Sequence, residues 1–293
     1  MPFKTILSVT GATTIDDDLR VATDLCRQVG AHLSALVIAR APTGRYATLS
    51  PGWLEERDQN LQALDACEKR VREKLARSEL SFDVGSLYVE VAGPNFDIGE
   101  RALYADLVLV GPSVFRDSDL KQQVIDGCLF QAGRPLLIAP PDSTPTLQPK
   151  TVLLAWDSRP SSAHAAQQAL ELMVNARSVH VTMVDPNAAL RASGEEPGAD
   201  VAAYLARHRI NVTVDILPSA GRSVAQVLQQ HAVDVAADVI VMGAYGHSRL
   251  REFIVGGVTR SMLAEARLPI LMGRWAGRRI PRNNNHQVRL QKG

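Results

Sequence analysis

One order of strand and helix patterns is written twice along this chain. Lys4-Thr5-Ile6-Leu7-Ser8-Val9 opens the first half and Lys150-Thr151-Val152-Leu153-Leu154-Ala155-Trp156 the second, each a short apolar run of the kind a buried parallel strand needs. A helical stripe follows each. Leu19, Ala22, Leu25, Cys26 and Val29 run from the acidic start at Asp16 to Asp18 up to Gly30. Ala165, Ala166, Ala169, Leu170 and Met173 follow Ser161 or Ser162, either of which suits a cap. Further strand patterns pair off between the halves: residues 32–38 with 178–184, 82–87 with 211–217, and 105–111 with 237–243. A last strand begins at a proline in each half, Pro135 and Pro269.

Strands alternating with helices, and apolar on both faces, predict an α/β fold of two tandem domains. Each is an open parallel sheet with helices on both faces and right-handed crossovers, one over residues 1–142 and the other over 150–273. A length of 293 residues suits two such domains. Ligands of such sheets gather beyond the carboxyl ends of the strands, which directs attention to the loops after Val9, Val110, Trp156, Val184 and Met242. Pro140 to Pro149 reads as a stiff linker. A long helical pattern from about Trp53 to Leu80, with Leu61, Leu64, Cys67, Val71 and Leu75 as its stripe, has only a short counterpart near Asp200 to His208. Residues 274–293 are basic and without apolar period, and are expected to form a disordered tail.

Charge and composition exclude several classes of function. A formal net charge of +1 with 22% charged residues carries no electrostatic footprint for nucleic acid. No run approaches the roughly 18 apolar residues of a membrane span, and the amino terminus enters a strand pattern directly, so a cytoplasmic location is expected. Cys26, Cys67 and Cys128 form no close pair and are expected to be buried thiols. His32, His164, His180, His208, His231 and His286 show no ligand spacing, so no metal site is expected. Motifs for a P-loop, a dinucleotide fold, a nucleophile elbow or a zinc protease are missing, and with them any candidate nucleophile or base.

The strongest constellation is Met242-Gly243-Ala244-Tyr245-Gly246-His247-Ser248-Arg249, followed by Phe253 to Arg260 with Gly256 and Gly257. Glycines after a buried strand and again at a helix start let backbone N–H groups converge on an anion such as phosphate. The spacing, G-x2-G-x9-G, closely resembles that of the universal stress protein family. The resemblance extends over nearly the whole chain as two copies and implies a Rossmann-like, adenine nucleotide alpha hydrolase-like fold. It also implies a stress-response regulatory protein that binds ATP or AMP, with or without Mg²⁺, in its second copy. By resemblance Gly243, Gly246 and Gly256 are the motif glycines, Val258 and Thr259 follow them, and Met242 precedes them. Asp157 stands where the family has an aspartate against adenosine, Ala155 at the adenine-side wall, and Val184 where the backbone reads the adenine edge. His247 and Arg249 would flank the phosphates. Single domains of the family pair through their last strands, so Leu136–Ala139 and Ile270–Met272 are expected to meet. A pseudo-dimer within one chain, or a homodimer of chains, is implied, together with an unidentified protein partner.

Two departures qualify the resemblance. Gly257 replaces the Ser or Thr expected after the third glycine, and losing one hydrogen bond there costs about 0.5–1.5 kcal/mol. In the first half Gly111 is followed by Pro112, Gly127 falls at the wrong distance, and no aspartate follows the first strand, so ATP binding in the family manner is not expected there. Plainer readings stay open. Asp157 also suits a helix cap, His247 a solvated loop residue, Arg249 a surface charge and Tyr245 a packing residue. At most slow, incidental ATP hydrolysis is expected, and the rival function is a nucleotide-independent docking protein with vestigial sites. Valine at both Gly243 and Gly256 is expected to close the phosphate cradle while sparing the fold.

Overall fold

The computed structural model describes residues 3–13, 15–41, 52–89, 95–186, 196–244 and 257–274. In the first half β1 (Thr5–Gly11), β2 (His32–Arg40), β3 (Phe82–Val89), β4 (Leu107–Val110) and β5 (Leu136–Ile138) alternate with helices. These are α1 (Ile15–Val29), α2 (Trp53–Ala76), α3 (Asn95–Ala102), α4 (Pro112–Arg116) and α5 (Ser118–Ile125). The second half runs β6 (Thr151–Ala155), α6 (Pro160–Gln168), α7 (Leu170–Val174), β7 (Ser178–Val184), α8 (Ala199–Arg207), β8 (Val212–Leu217), α9 (Val224–Asp234), β9 (Val239–Gly243), α10 (Gly257–Glu265) and β10 (Ile270–Gly273).

The two expected sheets are joined. Among the described residues the strands form one ten-stranded sheet in the order β3-β2-β1-β4-β5-β10-β9-β6-β7-β8. Every neighbouring pair is parallel except the central one, where β5 and β10 run antiparallel with Leu137 opposite Leu271. Leu136, Leu137, Ile138, Ile270, Leu271 and Met272 are all buried at this seam. Reading outward from it, the two halves have the same strand order, with the switch in chain direction between β1 and β4 in one and between β6 and β9 in the other. Each of the two apolar clusters that pack on the sheet draws residues from both halves: Leu25, Leu137, Val152 and Leu271 share one, and Leu7, Leu136, Leu153 and Ile270 the other.

A carboxylate fixes the start of the first strand in each half the same way. Asp106 accepts from the N–H groups of Lys4 and Thr5 at 2.8 and 3.0 Å, and Asp238 from those of Lys150 and Thr151 at 2.6 and 2.9 Å. Each pair satisfies backbone donors where the chain enters the sheet. The stretch between the halves is docked rather than a free spacer. Leu147 is buried, and the Gln28 side chain accepts from its N–H at 2.8 Å and from the Thr146 hydroxyl at 3.0 Å. Arg274, the first residue assigned to the tail, places its guanidinium 4.1 Å above the Phe130 ring of the other half; residues 275–293 lie outside the described residues. The long first-half helix ends at Ala76, short of Leu80, and among its described side chains buries Leu64, Cys67, Val71 and Leu75, with Leu61 half-buried. All three cysteines are buried. Among the described residues no helix is long and apolar enough to cross a membrane.

Candidate functional site

A cleft of about 180 Å³ opens beyond the carboxyl ends of β6, β7 and β9. Its lining joins Ala155, Asp157, Val184, Met242, Gly243, Gly257, Val258 and Thr259, which are eight of the sites singled out in the sequence. The other four, Gly246, His247, Arg249 and Gly256, lie outside the described residues, as does Tyr245. Parallel strands on either side of a switch in chain direction leave room between the diverging connections, and here β6 and β9 are that pair.

Apolar groups form the floor and polar ones the rim. Met242 and Leu228 are buried beneath the cleft, with Thr182 almost fully buried beside them, while Ala155 and Val184 are half-buried. Trp156 flanks the opening, its N–H bonded to the Thr182 carbonyl at 2.9 Å. Asp157 is exposed. Its Oδ1 accepts from the Arg159 N–H at 3.1 Å, a local turn just before α6, and its other oxygen lies 3.7 Å from the Arg159 guanidinium. Neither Ser161 nor Ser162 caps α6: Arg159 holds the cap position, Pro160 starts the helix, and the Ser162 hydroxyl donates to the Arg159 carbonyl at 2.9 Å. Proline suits that first position because its missing N–H would have had no helical partner.

Opposite α6, α10 begins at the cleft with Gly257, Val258 and Thr259. The first N–H groups of a helix have no acceptors within it and carry the positive end of its dipole, so this terminus favours an anion. A Cβ on Gly257 would meet no atom of the described residues within 4 Å. Gly243 is different. A Cβ there would lie 2.5 Å from the Ser161 carbonyl carbon and 2.6 Å from the Ser162 nitrogen, so this glycine admits the backbone of α6 against the end of β9. The expectation that valine at Gly243 would spare the fold is therefore corrected: the added side chain would strike backbone before it reached a ligand.

At the corresponding strand end in the first half a buried carboxylate packs against the glycine. Asp18, fully buried, takes the Thr10 hydroxyl on Oδ2 at 2.8 Å and the Ser113 N–H on Oδ1 at 2.7 Å. Its carboxyl sits so close over Gly111 that a Cβ on that glycine would lie 2.3 Å from Oδ1. Burial pushes the Asp18 carboxyl above its ordinary value, against the pull of the Thr10 and Ser113 hydrogen bonds. Gly127 has a packing role instead: its Cβ would lie 2.4 Å from the Asn95 carbonyl oxygen and 3.0 Å from the Gly99 nitrogen, where α3 crosses the π-helical turn Asp126–Ala132.

Sequence reading missed Trp156, Arg159, Thr182 and Leu228 as parts of the cleft, along with Ser161 and Ser162, which it assigned only to a helix cap. Arg159-Pro160 before a helix is a local signal for the second of these; Leu228 enters from α9 and carries none. Two histidines without ligand spacing, His180 and His231, are brought by the fold onto one carboxylate, Asp215.

Residues 149–274 match the model of the universal stress protein family. Two crystal structures share the fold over almost their whole length. A universal stress protein from Archaeoglobus fulgidus DSM 4304 superposes with a TM-score of 0.70 at 16% identity, over 92% of this chain and 96% of that one. A functionally unknown protein from Pseudomonas aeruginosa PAO1 does so with a TM-score of 0.58 at 15% identity, over 93% and 92%. No curated protein matches the chain in sequence.

Proposed function

We propose, taking residues 149–274 as the universal stress protein domain that their family match makes them, that the chain is a stress-response regulatory protein whose second half binds an adenine nucleotide. The observation that carries this is the gathering of Ala155, Asp157, Val184, Met242 and Gly243 with the N-terminus of α10 around one cleft. In this reading the adenine enters the apolar floor between Ala155, Val184 and Met242, and the backbone of Val184 reads its edge. Asp157 holds the ribose as a hydrogen-bond acceptor. The phosphates, of ATP or AMP and with Mg²⁺ where the nucleotide carries it, face the N–H groups of Gly257 to Thr259. Arg159 adds positive charge at the rim. The role is binding, with at most slow hydrolysis, and the nucleotide alters how the protein meets a protein partner, in the cytoplasm and as a pseudo-dimer or a homodimer.

One observation favours a second reading. Gly257 offers no hydroxyl where the family resemblance implies a Ser or Thr, as expected of a docking protein with vestigial sites. The deciding experiment is calorimetric titration of nucleotide-stripped full-length protein with ATP and AMP, with and without Mg²⁺, alongside Asp157→Ala. Saturation at one nucleotide per chain, weakened at least several-fold by the variant, supports the nucleotide reading. No heat at millimolar ATP supports the docking protein, and an affinity indifferent to Asp157 overturns its placing at the ribose.

A further inference from the structure

His180 on β7, Asp215 on β8 and His231 on α9 converge at the far edge of the second half. Thr182 is the register partner of Asp215, so His180, two residues earlier on β7, shares the sheet face of that carboxylate. Helix α9, started by a capping box between Ser223 and Gln226, lays His231 over the same face. The result is compact. His180 Nδ1 lies 2.9 Å and His231 Nε2 2.8 Å from a single oxygen, Asp215 Oδ2, and one donor atom from each of the three lies within 4.8 Å of the others. The rings stand nearly perpendicular at 80°, 6.2 Å between centroids. The side chains keep 19%, 19% and 16% of their exposure, so solvent reaches the group without flooding it.

We propose that His180, Asp215 and His231 form a binding site for a transition-metal ion of the zinc type, separate from the nucleotide cleft. Two imidazoles and one carboxylate suit Zn²⁺ and its neighbours in the series, whereas Mg²⁺ and Ca²⁺ prefer all-oxygen sets. With metal–ligand bonds of about 2.0–2.1 Å, tetrahedral ligand atoms stand about 3.3 Å apart, so the present 2.8–2.9 Å contacts need open by only about 0.5 Å. Each neutral ring then keeps its proton on the nitrogen away from the ion and turns a lone pair toward it. Water takes the open position left by three protein ligands. The ligands sit on two strands and one helix rather than on loops, which keeps the geometry fixed. The bound ion would pin α9 to the sheet edge. Leu228, three residues before His231 on that helix, lines the nucleotide cleft, yet none of the three ligands does.

The test uses full-length protein stripped with a chelator and titrated with Co²⁺ and then Zn²⁺. Visible d–d bands of four- or five-coordinate Co²⁺, saturating at one per chain and displaced by Zn²⁺, are expected. His231→Asn and His180→Asn should each weaken binding at least about tenfold, equivalent to about 1.4 kcal/mol, while His208→Asn leaves it unchanged. A Co²⁺ spectrum that stays that of the hydrated ion overturns the site even if a variant misfolds. So does stoichiometric binding that is indifferent to His180 and His231. Either result would leave the group as a hydrogen-bonded clamp between α9 and the sheet.

Discussion

Restoring a hydroxyl at position 257 tests the cleft at its weakest point. Gly257 opens α10, faces the cleft, has no atom of the described residues within 4 Å of the place a Cβ would take, and does not have the positive φ that would strain a side chain. Gly257→Ser therefore fits without displacing the described backbone. One added hydrogen bond to a phosphate is worth about 0.5–1.5 kcal/mol, which predicts about 2- to 12-fold tighter binding of ATP. Replacing glycine in a helix also stabilises the fold by about 0.5–1 kcal/mol, partly through the unfolded chain, and that gain must be separated from the hydroxyl. Gly257→Ala separates the two: it shares the backbone effect and lacks the oxygen. Calorimetric titration of all three stripped proteins with ATP should rank serine tightest, with alanine near glycine. If serine binds no tighter than alanine while both are folded, the N-terminus of α10 does not hold the phosphates.

Gly243→Ala should lower stability by about 1–3 kcal/mol, because its Cβ meets the Ser161–Ser162 backbone at 2.5–2.6 Å; an unchanged urea midpoint would show that α6 does not pack there as described. Burial holds the Asp18 carboxyl above its unfolded value, so between those values the folded state carries more protons and stability falls as pH rises through the interval. Asp18→Asn should remove that fall, and urea unfolding from about pH 4 to about pH 7 should show the variant gaining on the parent with rising pH; parallel profiles would refute it. Burial pushes the Cys26 thiol up to about 12 and the Cys128 thiol higher still, so neither should react with a thiol reagent at pH 8 until denaturant is added. Rapid labelling of either cysteine in the native protein would contradict their burial.

What the sequence discloses here follows the range of the interaction. Strands β4 and β9 are legible because Leu107–Val110 and Val239–Gly243 are apolar runs whose burial on both faces needs no knowledge of their neighbours. The lining of the cleft at Asp157, Gly243 and Gly257 was legible because glycine spacing and strand ends are local features. By local pattern Asp18 is a helix-start residue, which it also is by position. Its bond to Ser113 spans 95 residues and leaves no mark in local pattern. The His180–Asp215–His231 group fails for the same reason, with separations of 35 and 16 residues set by strand register and a helix crossing. Gly127 misleads in the opposite sense, since packing against Asn95 and Gly99 demands the same absent side chain as a phosphate loop.

The antiparallel seam between β5 and β10 has a consequence for how such a pair can specialise. Two separate domains that meet through these edges would part on dilution, and either could exchange its mate. Here the peptide chain supplies the partner at a fixed local concentration, so their union is independent of how much protein is present. The pairing also stays strictly unlike-with-unlike, one half always facing the other and never its own copy. Divergence is thereby released from symmetry: a carboxylate can be buried against the strand end of one half, as Asp18 is beside Gly111, without imposing the same arrangement on the cleft across the seam.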